Sequence, residues 1–225
     1  MRTSDILKRC AGFDCSLTLS LIMLLVLLGG IPAPSAGAAA PALQQLIDEA
    51  PAGGTVKLAA GSYEGPVTVK KPLQIIAEGD VVLINNSLQP AITIAAADVR
   101  LQGLQIRHIG MEERAEVLVS ANRSTIEDIR IETEAYGIVL RESTHHMING
   151  STIVRPDDRP VTERKNGIDL FDVHDSRITN NRIDNMNDGI YLESSHRNVI
   201  EGNRVERSRY GIHCMYTDGT VISGN

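Results

Sequence analysis

GIDLFDVHDSRITNNRIDNMNDGIYLESSHRNVIEGNRVERSRYGIHCMYTDGTVISGN, Gly167–Asn225, says the same thing three times. Gly-Ile pairs begin at Gly167, Gly189 and Gly211, each 22 residues from the last, and Asn181, Asn203 and Asn225 each follow their glycine by 14. An earlier unit starts at Gly137. Its 30-residue distance to Gly167 is explained by RPDDRPVTER (Arg155–Arg164), read as an outward loop. Isoleucines keep the same step, with Ile126, Ile148, Ile178, Ile200 and Ile222 separated by 22, 30, 22 and 22 residues. A fixed period of this size means a solenoid, because one such unit cannot bury its own apolar residues and must stack on its neighbours. Each unit reads as a short alternating strand, a polar turn, a second strand core and another turn. Stacking at about 4.8 Å places Ile on Ile and Asn on Asn, so the predicted fold is all-β, a right-handed parallel β-helix of about 22-residue coils.

Upstream of the repeat, TVKLA (Thr55–Ala59), PVTV (Pro66–Val69) and LQIIA (Leu73–Ala77) are short strands punctuated by Gly and Pro. Before them, Leu43, Leu46, Ile47 and Ala50 share one face of an amphipathic helix, which would cap the N-terminal end of the solenoid. The first 38 residues have the layout of a cleaved export signal: Arg2, Lys8 and Arg9, an apolar run from Leu17 to Gly30, and the small-residue site Ala36-Gly37-Ala38. Two domains follow from this: a signal peptide at 1–38 and a β-helix at 39–225. The coil ending at Asn225 leaves its next strand unwritten, so the domain reads as truncated at its C-terminal end. The chain is expected to be periplasmic or otherwise exported. Its net charge of −6 gives no electrostatic case for nucleic acid or an anionic membrane.

The register sorts side chains by direction. Cys214 aligns with Leu140, Leu170 and Leu192 and is expected to face the core as a small apolar group; with Cys10 and Cys15 inside the signal, it is the mature chain's only thiol. His213 shares an outward column with Val139, Asp169 and Tyr191, and Met215 shares one with Arg141, Phe171 and Glu193. An outward His and Met two residues apart, with Tyr216 beside them, form a soft donor cluster that suits copper; the competing reading is a partner-binding face. A second column holds His174 and His196, with Asp218 in the next coil, close enough for two imidazoles to share a cation, against the plainer reading of solvated turn residues.

A catalytic alternative rests on Asp169, Asp172, Asp188 and Glu193 with His174, taken as outward groups able to furnish an acid and a base for polysaccharide chemistry. FDVHDS (Phe171–Ser176) is similar to the Asp-Pro-His-Asp motif of alginate C5-epimerases, but Val173 stands at the proline position.

The opening LQQLIDEAPAGGTVKLAAGSYEGPVTVKKPLQIIAEG, the Gly-Ile/Asn coils and above all RYGIHCMYTDG (Arg209–Gly219) make the chain resemble the NosD family, periplasmic maturation factors of nitrous oxide reductase. The likeness covers essentially everything after the signal. It implies a non-catalytic scaffold that supplies copper or sulfur for the reductase's copper centre together with an ABC transporter and a copper chaperone. On that likeness Tyr210, His213, Met215 and Tyr216 match the family run; the outward columns make His213, Met215, His174 and His196 the candidate metal ligands, and Tyr210 and Tyr216 are candidate partner contacts. Family members are normally longer. The alternative is a carbohydrate-active β-helix, a lyase, an epimerase or a sugar-binding module, for which the aromatic content of 3% is low.

Overall fold

A strand whose inward side chains are Ile, Leu and Val in every coil finds the same residues directly above and below it, and the parallel pairing follows that match. In the computed structural model, which describes residues 42–108 and 114–225, Ile126, Ile148, Ile178, Ile200 and Ile222 are successive register partners. Ile138, Ile168, Ile190 and Ile212 form a second such column, and Ile106, Ile131, Ile153, Ile183 and Val205 a third. Nearly all of them are fully buried, each contributing about 1.5–3 kcal/mol of transfer free energy. The targeting segment read at 1–38 lies outside the described residues.

The parallel β-helix expected from the repeat is present, with one correction to the coil plan. Each coil carries three strands, not two, because the segment read as one second core is broken at its asparagines: Arg177–Thr179 and Arg182–Asp184 are separate strands, as are Val199–Glu201 and Arg204–Glu206. The break is a corner that requires positive φ, filled by Asp128, Gly150, Asn180, Gly202 and Gly224 at +52° to +65°. The first face is a sheet of seven strands, from Val67–Val69 through Tyr136–Thr144, Ile168–His174 and Asp188–Glu193 to Tyr210–Met215. The second and third faces are joined into one sheet of 13 by the long strand Leu73–Asn85, which bends from one to the other.

Polar side chains close the corners. Asn203 Oδ1 accepts the Asn181 N–H at 3.0 Å while Asn203 Nδ2 donates to the Ile178 carbonyl at 2.8 Å, and Asn181 and Asn225 repeat the pattern one coil to either side. These buried amides would otherwise be stranded where the strand pairing lapses. Helix Leu43–Glu49 buries Leu43 and Ile47 against the first coil, with Pro51 just beyond its end. Its Gln44 also pairs with the outermost strand of the first face: Oε1 accepts the Thr68 N–H at 2.8 Å and Nε2 donates to the Thr68 carbonyl at 3.2 Å. The insertion at 155–165 is held down by Arg155, whose guanidinium is buried against Asp157 and the Glu134 carbonyl, and by Arg164, which donates to the Arg207 carbonyl at 2.9 Å. No helix among the described residues is long and apolar enough to cross a membrane.

Candidate functional site

Alternation along the first face sends Val139, Asp169, Tyr191 and His213 outward in one column and Arg141, Phe171, Glu193 and Met215 in the next, as register partners. The last coils of that face bring together seven side chains in one network. Asp188 sits at the corner immediately before its strand turns, and it is 1% exposed. Arg209 holds its two oxygens through Nε and Nη2 at 2.9 and 2.8 Å, while His213 Nδ1 lies 2.7 Å from Oδ2. A carboxylate bound bidentately by a guanidinium has only acceptors to offer, so the 2.7 Å contact requires a proton on His213 Nδ1. Arg209 Nη2 is 3.5 Å from the same nitrogen, too long to compete.

The His213 ring is then packed between two tyrosines. Tyr191 meets it edge to face at a centroid distance of 5.1 Å, and Tyr210 is tilted against it at 4.9 Å, with the Arg209 guanidinium 4.8 Å from the Tyr210 ring. Tyr191 also reaches across the strands: its hydroxyl is 2.9 Å from Glu193 Oε2 and 3.1 Å from Met215 Sδ. Burial, reinforced by the Glu193 hydrogen bond, pushes the Tyr191 phenol up to about 12, so it remains a donor at neutral pH.

Two of the acids taken as outward groups are not available at the surface. Asp188 is committed to Arg209 and His213. Asp169 is 5% exposed, accepts from Asn166 Nδ2 at 2.9 Å, and has its carboxyl raised above the usual range by burial. The reason is the insertion: Asn166, at its end, folds over Asp169 and also accepts the Asp188 N–H at 3.2 Å. A groove on an earlier part of this face is lined by Pro90, Arg114, Leu118, Tyr136, Val139 and Arg141 among others, with no carboxylate in its lining.

His174 and His196 do come together, with rings stacked at 5.1 Å and 8°. Their Nδ1 atoms are already used: His174 accepts the His196 N–H at 3.1 Å and His196 accepts the Asp218 N–H at 3.0 Å. Asn122 does the same for Thr144 at 2.9 Å, so these histidines occupy a turn column in the manner of asparagine. His174 Nε2 lies 3.1 Å from Asp172 Oδ1. Among the described residues no group of three or more His, Cys, Asp and Glu is arranged to hold a metal ion.

Cys214 keeps the inward column opposite Leu192 but is exposed, not buried, because no coil stacks beyond it among the described residues. Tyr210 and Tyr216 are 52% and 76% exposed, and Tyr216 occupies a corner position at φ +52° held by Glu142, Asp172 and Ser194 in earlier coils. The residues that sequence reasoning missed are Asp188 and Arg209 as partners of His213. The available signal was an aspartate directly before Gly189, one coil below an Arg-Tyr pair directly before Gly211.

Residues 61–225 match the model of a family described as periplasmic copper-binding protein (NosD). A probable ABC transporter binding protein NosD of Stutzerimonas stutzeri is 29% identical over 137 residues, 59% of this chain and 31% of that protein. The chain thus spans about a third of the length of that curated relative. Among solved structures, a PL6 alginate lyase complexed with a trisaccharide aligns at TM-score 0.41 and 11% identity, over 74% of this chain and 56% of the lyase.

Proposed function

The chain belongs to the NosD family, described as periplasmic copper-binding proteins, and from that premise we propose that it handles copper(I) at His213 and Met215 while acting as an accessory scaffold in the maturation of a copper enzyme. The observation that carries the reading is the pairing of an imidazole and a thioether on alternate outward positions of one strand, Tyr210–Met215, both anchored from the coil below. Thioether sulfur is a soft donor and imidazole nitrogen a borderline one, a pair that suits copper(I) and not the hard cations calcium and magnesium.

The relative's printed name makes it a binding protein for an ABC transporter. On this reading Tyr210 and Tyr216, large, exposed and beside the donor pair, are contacts for such a transporter or for a copper chaperone, in the periplasm, and nitrous oxide reductase is the enzyme served. Exposed aromatic side chains at the edge of a rigid element are the residue types that anchor interfaces. The carbohydrate-active alternative loses two of its four acids, Asp169 and Asp188, to burial.

The test is an anaerobic copper(I) titration against a competing chromophoric chelator, with the wild type and a His213→Ala/Met215→Ala variant. Wild-type binding that the double variant loses supports the site. Binding retained in full by the variant, or none by either protein, removes direct copper handling from these residues.

A further inference from the structure

We propose that Asp188 is the positioning residue that holds His213 in its Nδ1–H tautomer, so that Nε2 is the nitrogen presented for a metal ion. The ligand part rests on the copper reading above; the tautomer part stands on geometry alone. Asp188 is on one coil and His213 on the next, and nothing in their 25-residue separation demands that they meet. They do so because Asp188 lies at the corner before Gly189, where the backbone turns its carboxylate towards the coil above, and because Arg209 fixes both carboxylate oxygens in plane.

The arrangement is that of a histidine prepared for a ligand. A ring that offers either nitrogen to solvent exists as two tautomers, and each ligation event must select one; a buried carboxylate on Nδ1 removes that choice and orients the ring. Among the described residues no hydrogen bond is made by His213 Nε2. Tyr191 and Tyr210 on either side restrict ring rotation. Tyr191 serves the second donor in the same way, with its hydroxyl parking the flexible Met215 side chain at Sδ.

The rest of the molecule supplies an internal contrast. His146, His174 and His196 each accept a backbone N–H through Nδ1, at 3.2, 3.1 and 3.0 Å, which requires their proton to sit on Nε2. Of these four histidines, His213 alone is held in the opposite tautomer.

The experiment is nitrogen-15 spectroscopy of the imidazoles of the labelled wild type, well above the ordinary imidazole titration range, with His213 assigned through a His213→Gln variant, followed by the isosteric Asp188→Asn. In the wild type His213 should show the Nδ1–H pattern while His146, His174 and His196 show Nε2–H. In Asp188→Asn that preference should be lost, copper(I) affinity should fall roughly 10–100-fold, and the circular dichroism of the β-helix should be unchanged. A wild-type His213 in the Nε2–H form overturns the proposal without recourse to any variant. So does an Asp188→Asn protein with unaltered tautomer or unaltered copper affinity. A wild type that holds the Nδ1–H form yet takes up no copper(I) sinks the copper reading and the ligand role, and leaves the tautomer control by Asp188 standing.

Discussion

The buried imidazole of His146 accepts the backbone N–H of Ser124 through Nδ1 at 3.2 Å, and the backbone N–H of His146 donates to Ser176 Oγ at 2.9 Å. Ser176 in turn donates to Asn198 Oδ1 at 2.9 Å, so His146 is one rung of a turn ladder otherwise built from Ser and Asn.

Burial, with a smaller contribution from the neighbouring charge of His145, lowers the His146 imidazole from 6.5 to about 4. Because the unfolded chain binds this proton more readily, the stability tied to His146 is complete above pH 6.5 and is lost as pH falls towards 4, by about 3 kcal/mol at most. Glu116 acts in the opposite sense: burial raises it from 4.5 to about 7, so its contribution is full below 4.5 and is lost as pH rises through 7. Urea denaturation across this range should show the two trends partly cancelling. In His146→Asn, which keeps the ladder acceptor without the titration, only the decline with rising pH should remain. Identical profiles for the two proteins would remove His146 as the cause of the acid limb.

Gly167→Ala should destabilise the protein by about 1–3 kcal/mol, since an added Cβ would lie 2.5 Å from Ile183 Cγ2 and 2.7 Å from the Gly189 carbonyl oxygen, one of them backbone that cannot move aside. The same change at Gly211, where the nearest atom is Val205 Cβ at 4.0 Å, should cost far less. Equal midpoints in a thermal melt of the two variants would show that the coils yield at this corner.

Arg155→Ala should free the insertion. The guanidinium is among the largest fully buried side chains, and its loss strands the Glu134 carbonyl and leaves Asp157 with Arg159 alone, at a cost of about 2–4 kcal/mol. Limited trypsin digestion should then cut after Arg164 or Lys165 well before the coils are attacked. An insertion as resistant as in the wild type would mean that Asn185, which donates to the Arg155 carbonyl at 3.1 Å, suffices to hold it.

The solenoid was legible because its information is periodic: Gly189 and Gly211, or Ile178 and Ile200, name each other by a constant interval, and the register follows without any distance being known. The outward directions of His213 and Met215 came from the same register. What periodicity does not encode is the corner. Asp188 falls where alternation breaks down, so counting positions could not tell that its carboxylate bends to His213, nor that Asn166 folds over Asp169. The third strand of each coil was hidden for a related reason, because a corner built on Asn180 or Gly202 interrupts pairing without interrupting the apolar pattern. His174 and His196 were found as a column, but the hydrogen bonds that define their job run to backbone, on which side-chain identity is silent.

The bonds from Gln44 to Thr68 bear on self-association. Stacked parallel strands are the same arrangement that amyloid extends without limit, and a coil with a bare first strand would offer its amides to any passing copy. At Val67–Val69 a side-chain amide already fills the place of an incoming backbone, and Leu43 and Ile47 cover the apolar floor beneath it. A second molecule therefore cannot add a strand to this side of the first face, and fibril growth there is stopped by one glutamine on a helix of seven residues.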